Sequence, residues 1–436
     1  MVKAVTGSAG LRIAGMGLGF LVGVQLARGL GVENYGIYGV AVSLVSLLGV
    51  PTEFGLPQLV TREVAARRAR GAWSEIPGVH KWAVRTIFII SAITAALALL
   101  WTGWRSRGGW SVLETTVAVG LCMIPFVAIG KVQGGTLRGL HEIVKGQIPD
   151  SLVRPAAYSI LLFFLFLFTH KFSPVQAMGA GVVSTICACI VGAFMLRGRL
   201  LQNDVFLPSQ GTIRGWYGSA LPMALTRGMR VLQGNVVIVI LGMMVSTRDV
   251  GLFRIASSIL VMVGAPVAVF TLVAAPIITD LYSRAEIARL QKVLAWVSFG
   301  MVVATAILVI PFFLFGAYLL GRIFGQEYSG ASGVLMILCL GALFTASAGT
   351  AGTLLTMTKY EKLVTRATAL FIAVLCFTVP VFTYLYSIHG AAFASVLSIT
   401  FWRYLLVHDC KKFLGLDTTM RPLLQLYWQN KVSGRS

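Results

Sequence analysis

The chain has 436 residues, 57% of them hydrophobic and only 12% charged, with a formal net charge of +21. Its mean hydropathy of +0.84 excludes a soluble globular protein and places it among polytopic membrane proteins. The positive charge does not indicate nucleic acid, because the basic residues occupy short connections beside apolar segments and no nucleic-acid-binding module is present. Anionic lipid headgroups are the expected partner for most of them.

Apolar runs of about 20 residues, the length needed to cross a ~30 Å hydrocarbon core, recur along the chain. Twelve are expected: 4–27, 36–56, 82–101, 111–130, 149–169, 174–196, 216–243, 253–279, 293–315, 331–349, 364–386 and 390–408. The first keeps Arg12 within its apolar stretch and has no small-residue cleavage site, so it is read as a retained span rather than a signal peptide. Most of the 36 basic residues fall on one side if the N-terminus is cytoplasmic, which also makes the C-terminus cytoplasmic. The expected fold is therefore an all-α membrane protein of twelve transmembrane helices.

Within the first span, Gly15, Gly19 and Gly23 recur every four residues, a spacing that lets another helix approach. Pro222, Pro266, Pro276 and Pro311 lie inside later spans and can bend them. The segment 224–235 (ALTRGMRVLQGN) of the seventh span carries Arg227 and Arg230 far from any polar loop.

An internal repeat explains part of this pattern. Residues 32–41 (VENYGIYGVA) align without gaps to 247–256 (TRDVGLFRIA) at an offset of 215, and 135–143 (GTLRGLHEI) echo 352–360 (GTLLTMTKY) at 217. Six spans per copy make the repeat parallel, with two six-helix bundles related by an axis along the membrane normal and a central cavity that rocking opens to either side. The expected divisions are a first half at 1–205, a second at 206–410 and a basic cytoplasmic tail at 411–436. The same offset makes Arg12 the counterpart of Arg227.

Arginine at bilayer depth is costly, so a single one either marks a pathway or snorkels or binds a carbonyl within the bundle; the repeat-related position, with Arg230 one turn further along, favours the pathway. Arg12, Arg227 and Arg230 are accordingly read as an anion site, with Gln25, Gln233 and Asn235 as uncharged groups suited either to a hydroxyl-rich ligand or to gluing helices together. Arg62 and Arg138, near the cytoplasmic mouth, either attract the ligand first or simply serve the positive-inside rule.

Other chemistries lack their residues. No phosphate-binding P-loop occurs, His141-Glu142 lacks the second histidine of a zinc-protease helix because Lys145 stands there, and no serine elbow is present. No cofactor, metal or catalytic residue is expected, and the six cysteines are read as small packing residues. No carboxylate sits clearly at a span centre; Glu53, Glu114 and Asp150 fall near span ends, which disfavours a cation-driven exporter.

Residues 25–39 (QLARGLGVENYGIYG), 53–65 (EFGLPQLVTREVA) and 135–140 (GTLRGL) resemble the polysaccharide-transporter (Wzx-type) branch of the multidrug/oligosaccharidyl-lipid/polysaccharide (MOP) flippase superfamily, to which MATE transporters also belong. The likeness is strongest over residues 10–70. It implies a MATE-like fold and movement of an undecaprenyl-pyrophosphate-linked oligosaccharide, an O-antigen or other surface-polysaccharide unit, to the outer leaflet of a bacterial inner membrane by alternating access. Other polysaccharide-assembly proteins are implied as partners. Asn235 departs from the acidic residue many relatives carry there. Rival readings are a MATE-like small-molecule exporter, a peptidoglycan-precursor flippase of a sister branch, and an embedded polysaccharide polymerase or ligase, although the outer connections at 102–110 and 246–251 are short for an enzyme.

Overall fold

A computed structural model describes residues 2–105, 109–200 and 210–420, and every regular element among them is helical. The expected boundary at 205/206 and most of the tail at 411–436 lie outside the described residues. The chain divides into two compact units, 1–242 and 243–436.

The first unit contains α1 (Val2–Leu48), α2 (Val50–Glu53), α3 (Leu56–Ala69), α4 (Ile76–Arg105), α5 (Val112–Leu121), α6 (Met123–Gly139), α7 (Arg154–Thr169), α8 (Pro174–Leu200) and nearly all of α9 (Gln210–Met244). The second contains α10 (Thr247–Val263), α11 (Ala265–Ser283), α12 (Ile287–Ile323), α13 (Ser332–Ser347), α14 (Ala351–Met357) and α15 (Glu361–Leu414). Ten stretches among the described residues are long and apolar enough to cross a membrane. The twelve expected from hydropathy differ from these ten because α1, with 47 residues, and α15, with 54, each carry two of the expected spans, joined across a kink. Each contains a break, at Gly31 and at Tyr386–Ser387 respectively.

These breaks bear on the repeat. Gly31 (φ 72, ψ 169) in α1 lies 215 residues before Ser246, the extended cap that separates α9 from α10. Gly49 (φ −74, ψ −16), between α1 and α2, lies 215 before Gly264 (φ −79, ψ −7), between α10 and α11; each is followed by a helix with proline in its first turn. His170 (φ 55), which ends α7, lies 217 before Ser387 (φ 52) in α15. Three backbone interruptions recur at the offsets 215 and 217, so the duplication extends to the chain's local conformation.

Large apolar side chains cover the outside: Phe168 is 84% exposed, Phe194 74% and Phe377 73%. Exposure of that kind is unstable in water and suits lipid. The protein is a multi-pass membrane protein.

Close helix approaches in the first unit occur where glycine removes a side chain. A Cβ on Gly135 of α6 would stand 2.6 Å from the Pro57 carbonyl of α3, and one on Gly139 would stand 2.8 Å from Val64 Cβ. The contact is locked by Thr61 Oγ1, which donates to Gly135 O at 3.0 Å. Of the three glycines spaced along the first span, Gly15 makes such a contact, 2.6 Å from Ser151 O, whereas Gly19 and Gly23 face open space. Tyr158 donates to Ala177 O at 2.9 Å and its oxygen pairs with the Tyr38 hydroxyl at 2.8 Å, tying α1, α7 and α8 together. In the second unit the core gathers α11, α12, α14 and α15 around Ile278, Leu290, Leu294, Leu354 and Cys410.

Candidate functional site

The site is assembled from three separate stretches of the first unit. The sequence from 49 to 55 (GVPTEFG) interrupts helix on both sides of the four-residue α2: Pro51 starts the turn, and Phe54 (φ 34) and Gly55 (φ 67) end it in left-handed conformation. Glu53, the last residue of α2, is thereby held at 7% exposure.

Glycine again decides what can pack there. A Cβ on Gly55 would lie 2.7 Å from Ala220 O and 2.9 Å from Ala224 N, so α9 rests directly on the turn after α2. One turn further along α9, a Cβ on Gly228 would meet Val50 at 3.2 Å. Trp216 and Ala220 of α9 enter a core with Leu56, Leu59, Val60, Ala128 and Val132, and Trp82 packs on Trp216 at 4.7 Å between ring centroids.

That packing turns Arg227 toward the buried carboxylate. Arg227 Nε donates to Glu53 Oε2 at 3.0 Å, and Lys131 Nζ of α6 donates to Glu53 Oε1. One carboxylate thus bridges two cations. The three side chains are 9%, 23% and 36% exposed for Glu53, Lys131 and Arg227. A buried carboxylate without partners would be strongly disfavoured, and here each oxygen accepts a charge-assisted bond. The cluster retains one net positive charge. Both Nη groups of Arg227 have no hydrogen-bond partner among the described residues and remain available as donors.

The other residues singled out from sequence are placed as follows. Arg230 is exposed one turn beyond Arg227, the spacing at which helical side chains neighbour each other. Gln233 and Asn235 are half-buried, and Asn235 donates to Val231 O of its own helix at 2.9 Å. Gln25 turns its Oε1 into the protein with no partner among the described residues. Arg12 is exposed on α1, and no ion pair among the described residues joins it to the Glu53 cluster. Arg62 is engaged with Glu63 at 3.1 Å, which also holds Arg67 at 2.7 Å; Arg138 is half-buried.

Glu53 and Lys131 were missed as site residues because each lies at the end of an apolar run, where a loop position is the simpler reading. The usable signal was a glutamate enclosed by Gly49, Pro51 and Gly55, and a lone lysine after Gly130 inside an apolar helix. Neither has a charged counterpart in the repeat: position 268 is alanine, 215 residues after Glu53, and positions 346 and 348, at offsets of 215 and 217 from Lys131, are both alanine. The duplicated scaffold carries its ion cluster in one copy. No group of three or more metal-ligating side chains occurs among the described residues.

The model of the polysaccharide biosynthesis protein family matches residues 2–282, well over half of the chain. The chain belongs to this family. It is similar to stage V sporulation protein B of Bacillus subtilis (strain 168), 23% identical over 183 residues, which are 40% of this chain and 34% of that protein; the match spans about a third of that relative's length. Among solved structures it is similar to a multidrug resistance MATE family transporter of the MOP superfamily in an inward-facing conformation, with a TM-score of 0.72 and 14% identity over 91% of this chain and 96% of the other. It is also similar to the lipid II flippase MurJ in an inward closed conformation, with a TM-score of 0.71 and 12% identity over 94% and 88% of the two chains. The fold is that of the MOP superfamily. Those structural relatives are transporters and a flippase rather than enzymes, and the family member described here has the same helical architecture.

Proposed function

We propose that the protein is a flippase that carries an undecaprenyl-pyrophosphate-linked oligosaccharide, a repeat unit of O-antigen or another surface polysaccharide, from the cytoplasmic to the outer leaflet of a bacterial inner membrane. Both termini are cytoplasmic in this reading. The observation that carries it is the Glu53–Lys131–Arg227 cluster: an apolar helix bundle pre-orients an arginine by its Nε and leaves its terminal nitrogens unspent. A guanidinium so placed matches two oxygens of a phosphate without first paying for its own ordering. Arg230 and Arg12 add positive charge, Gln25, Gln233 and Asn235 add hydroxyl-binding groups, and Arg62 and Arg138 receive the headgroup at the cytoplasmic side. The polyprenyl tail stays in lipid. An inside-negative potential favours outward movement of an anion by about 2.3 kcal/mol per charge per 100 mV, which assists flipping without ATP.

Membership of a polysaccharide biosynthesis family supports a glycan cargo, and the fold shared with a lipid II flippase supports a lipid-linked one. The test is deletion of the gene followed by mass spectrometry of undecaprenyl-linked glycans: accumulation of one glycan on the inner leaflet supports the reading and names the cargo. No accumulation, with altered drug tolerance instead, overturns it in favour of an exporter. Buried Glu53 is the kind of carboxylate such an exporter would use for cation coupling, but both of its oxygens are already occupied by Lys131 and Arg227.

A further inference from the structure

The second unit contains a cavity of ≈ 570 Å³ that the function proposed above does not use. Its wall is formed by the end of α13, the last turns of α15 and residues 419–420. Along α15, Thr400, Arg403, Tyr404, His408 and Lys411 all face it, at the spacings of three and four that keep side chains on one helical face. Arg403 and Lys411 make the wall basic, and no aspartate or glutamate lines it.

Two groups in this wall lack partners. Arg403 Nε and Thr400 Oγ1 are buried and make no hydrogen bond among the described residues. The Arg403 guanidinium carbon lies 4.7 Å from the centroid of the Trp402 ring, a cation–π contact that gives Nε no oxygen or nitrogen acceptor. Buried donors without acceptors are rare in stable folds, and an N–H of a charged group such as Arg403 Nε is costly to leave unpaired. The wall therefore asks for an anionic acceptor.

The far side of the cavity exists because the chain turns back after α15. Gln291 of α12 grips Asp417 through both backbone groups, accepting from its N–H at 2.9 Å and donating to its carbonyl at 2.5 Å. Ser298 donates to Thr418 O at 2.5 Å and Thr418 donates to Ala348 O at 3.0 Å. Lys411 Nζ reaches Asp417 Oδ2 at 2.9 Å, which sets the lysine at the rim. Thr419 and Met420 are thereby brought to the wall.

We propose that this cavity binds a phosphate-bearing ligand, with the phosphate on Arg403 and Thr400 and its approach assisted by Lys411. Arginine's planar fork and a neighbouring hydroxyl are a donor set suited to phosphate oxygens. The volume far exceeds one phosphate group, and Phe344, Val407 and Met420 offer apolar surface to the remainder, as a glycerol or acyl portion would require. Membrane phospholipid and a soluble phosphate ester share this chemistry.

The test uses the full chain purified in detergent. Native mass spectrometry after addition of dioleoylphosphatidylglycerol counts retained lipids, and a thermal-unfolding titration with glycerol phosphate measures the soluble arm. Wild type is expected to retain one lipid more than Arg403→Gln and Lys411→Gln, or to bind glycerol phosphate about tenfold more tightly than either. Loss in the lipid arm alone assigns a phospholipid headgroup, and loss in the soluble arm alone assigns a phosphate ester. Lys412→Gln, whose amine lies 5.5 Å over Phe413 outside the cavity wall, should match wild type. If Arg403→Gln lacks a cooperative unfolding transition, Thr400→Val and Lys411→Gln decide. Equal lipid retention in the variants together with no response to glycerol phosphate overturns the proposal.

Discussion

Arg227 and Glu53, 174 positions apart, are joined by a hydrogen-bonded ion pair at 3.0 Å in the first unit. Arg227 is therefore oriented by its own carboxylate partner, which it shares with Lys131 on the other Glu53 oxygen.

Removing Glu53 should cost more than removing either cation. Glu53→Ala leaves Lys131 and Arg227 facing each other without the bridging anion. A loss of about 2–3 kcal/mol is expected, below the ~3–5 kcal/mol of fully buried pairs because both cations reach partly exposed surroundings. Thermal unfolding of Glu53→Ala, Arg227→Ala and the double variant measures this; additive effects in the cycle would show that the pair is uncoupled.

Transport should separate geometry from charge at Arg227. At matched protein levels, Arg227→Ala is expected to lower outer-leaflet glycan at least about tenfold, and Arg227→Lys to recover only part of it, because an ammonium lacks the planar fork. Full transport by Arg227→Ala would remove Arg227 from the anion site.

Gly55→Ala should disrupt the same site without touching a charge. The position has φ +67 and its Cβ would enter the backbone of α9 at Ala220, so more than about 2 kcal/mol of destabilisation and loss of transport are expected. Gly19→Ala, facing open space within α1, should instead be neutral or stabilising by up to about 1 kcal/mol. Equal thermal stability of the two variants would contradict the packing described.

Acid should loosen the segment after α15. Burial alone would raise the Asp417 pKa, but the bonds from Lys411 and Thr419 outweigh it and hold the carboxyl below its ordinary value of 3.8. A depressed folded-state pKa means that Asp417 stabilises the fold fully above the ordinary value and loses that contribution as pH falls through the folded one. Lys411 donates to it at 2.9 Å, and Asp409 and Cys410 are the neighbouring titratable groups on α15. Wild type should thus lose unfolding temperature below about pH 4, and Asp417→Asn should be less stable near neutral pH with a shallower acid limb. Superimposable pH profiles would refute the contribution.

Much of the architecture could be read from residue order. Periodic apolar runs about 20 residues long follow from the thickness of the bilayer, and the offset of 215 paired Gly36 with Gly251 and Arg12 with Arg227 from residue order alone; that the helix breaks at Gly31 and Ser246 and at His170 and Ser387 share the offsets is a property of the backbone. Positions 32–41 and 247–256 revealed the duplication, and Arg227 was recognisable as a charge needing a reason. Counting spans was harder, because in α1 and in α15 two apolar stretches follow one another across a kink rather than a separate loop.

Partnership was not readable in this way. Whether Arg227 meets a ligand, lipid or a carboxylate depends on which faces of α2, α6 and α9 are turned together, and those orientations come from contacts at Gly55, Gly135 and Gly228 between residues remote in sequence. Hydropathy reports a helix's preference for lipid but not its rotation about its own axis. The chain's order determined that it crosses a membrane, repeats itself and buries a few charges; packing at those glycines decided that Glu53, Lys131 and Arg227 form one cluster, because an ion pair requires contact within a few ångströms.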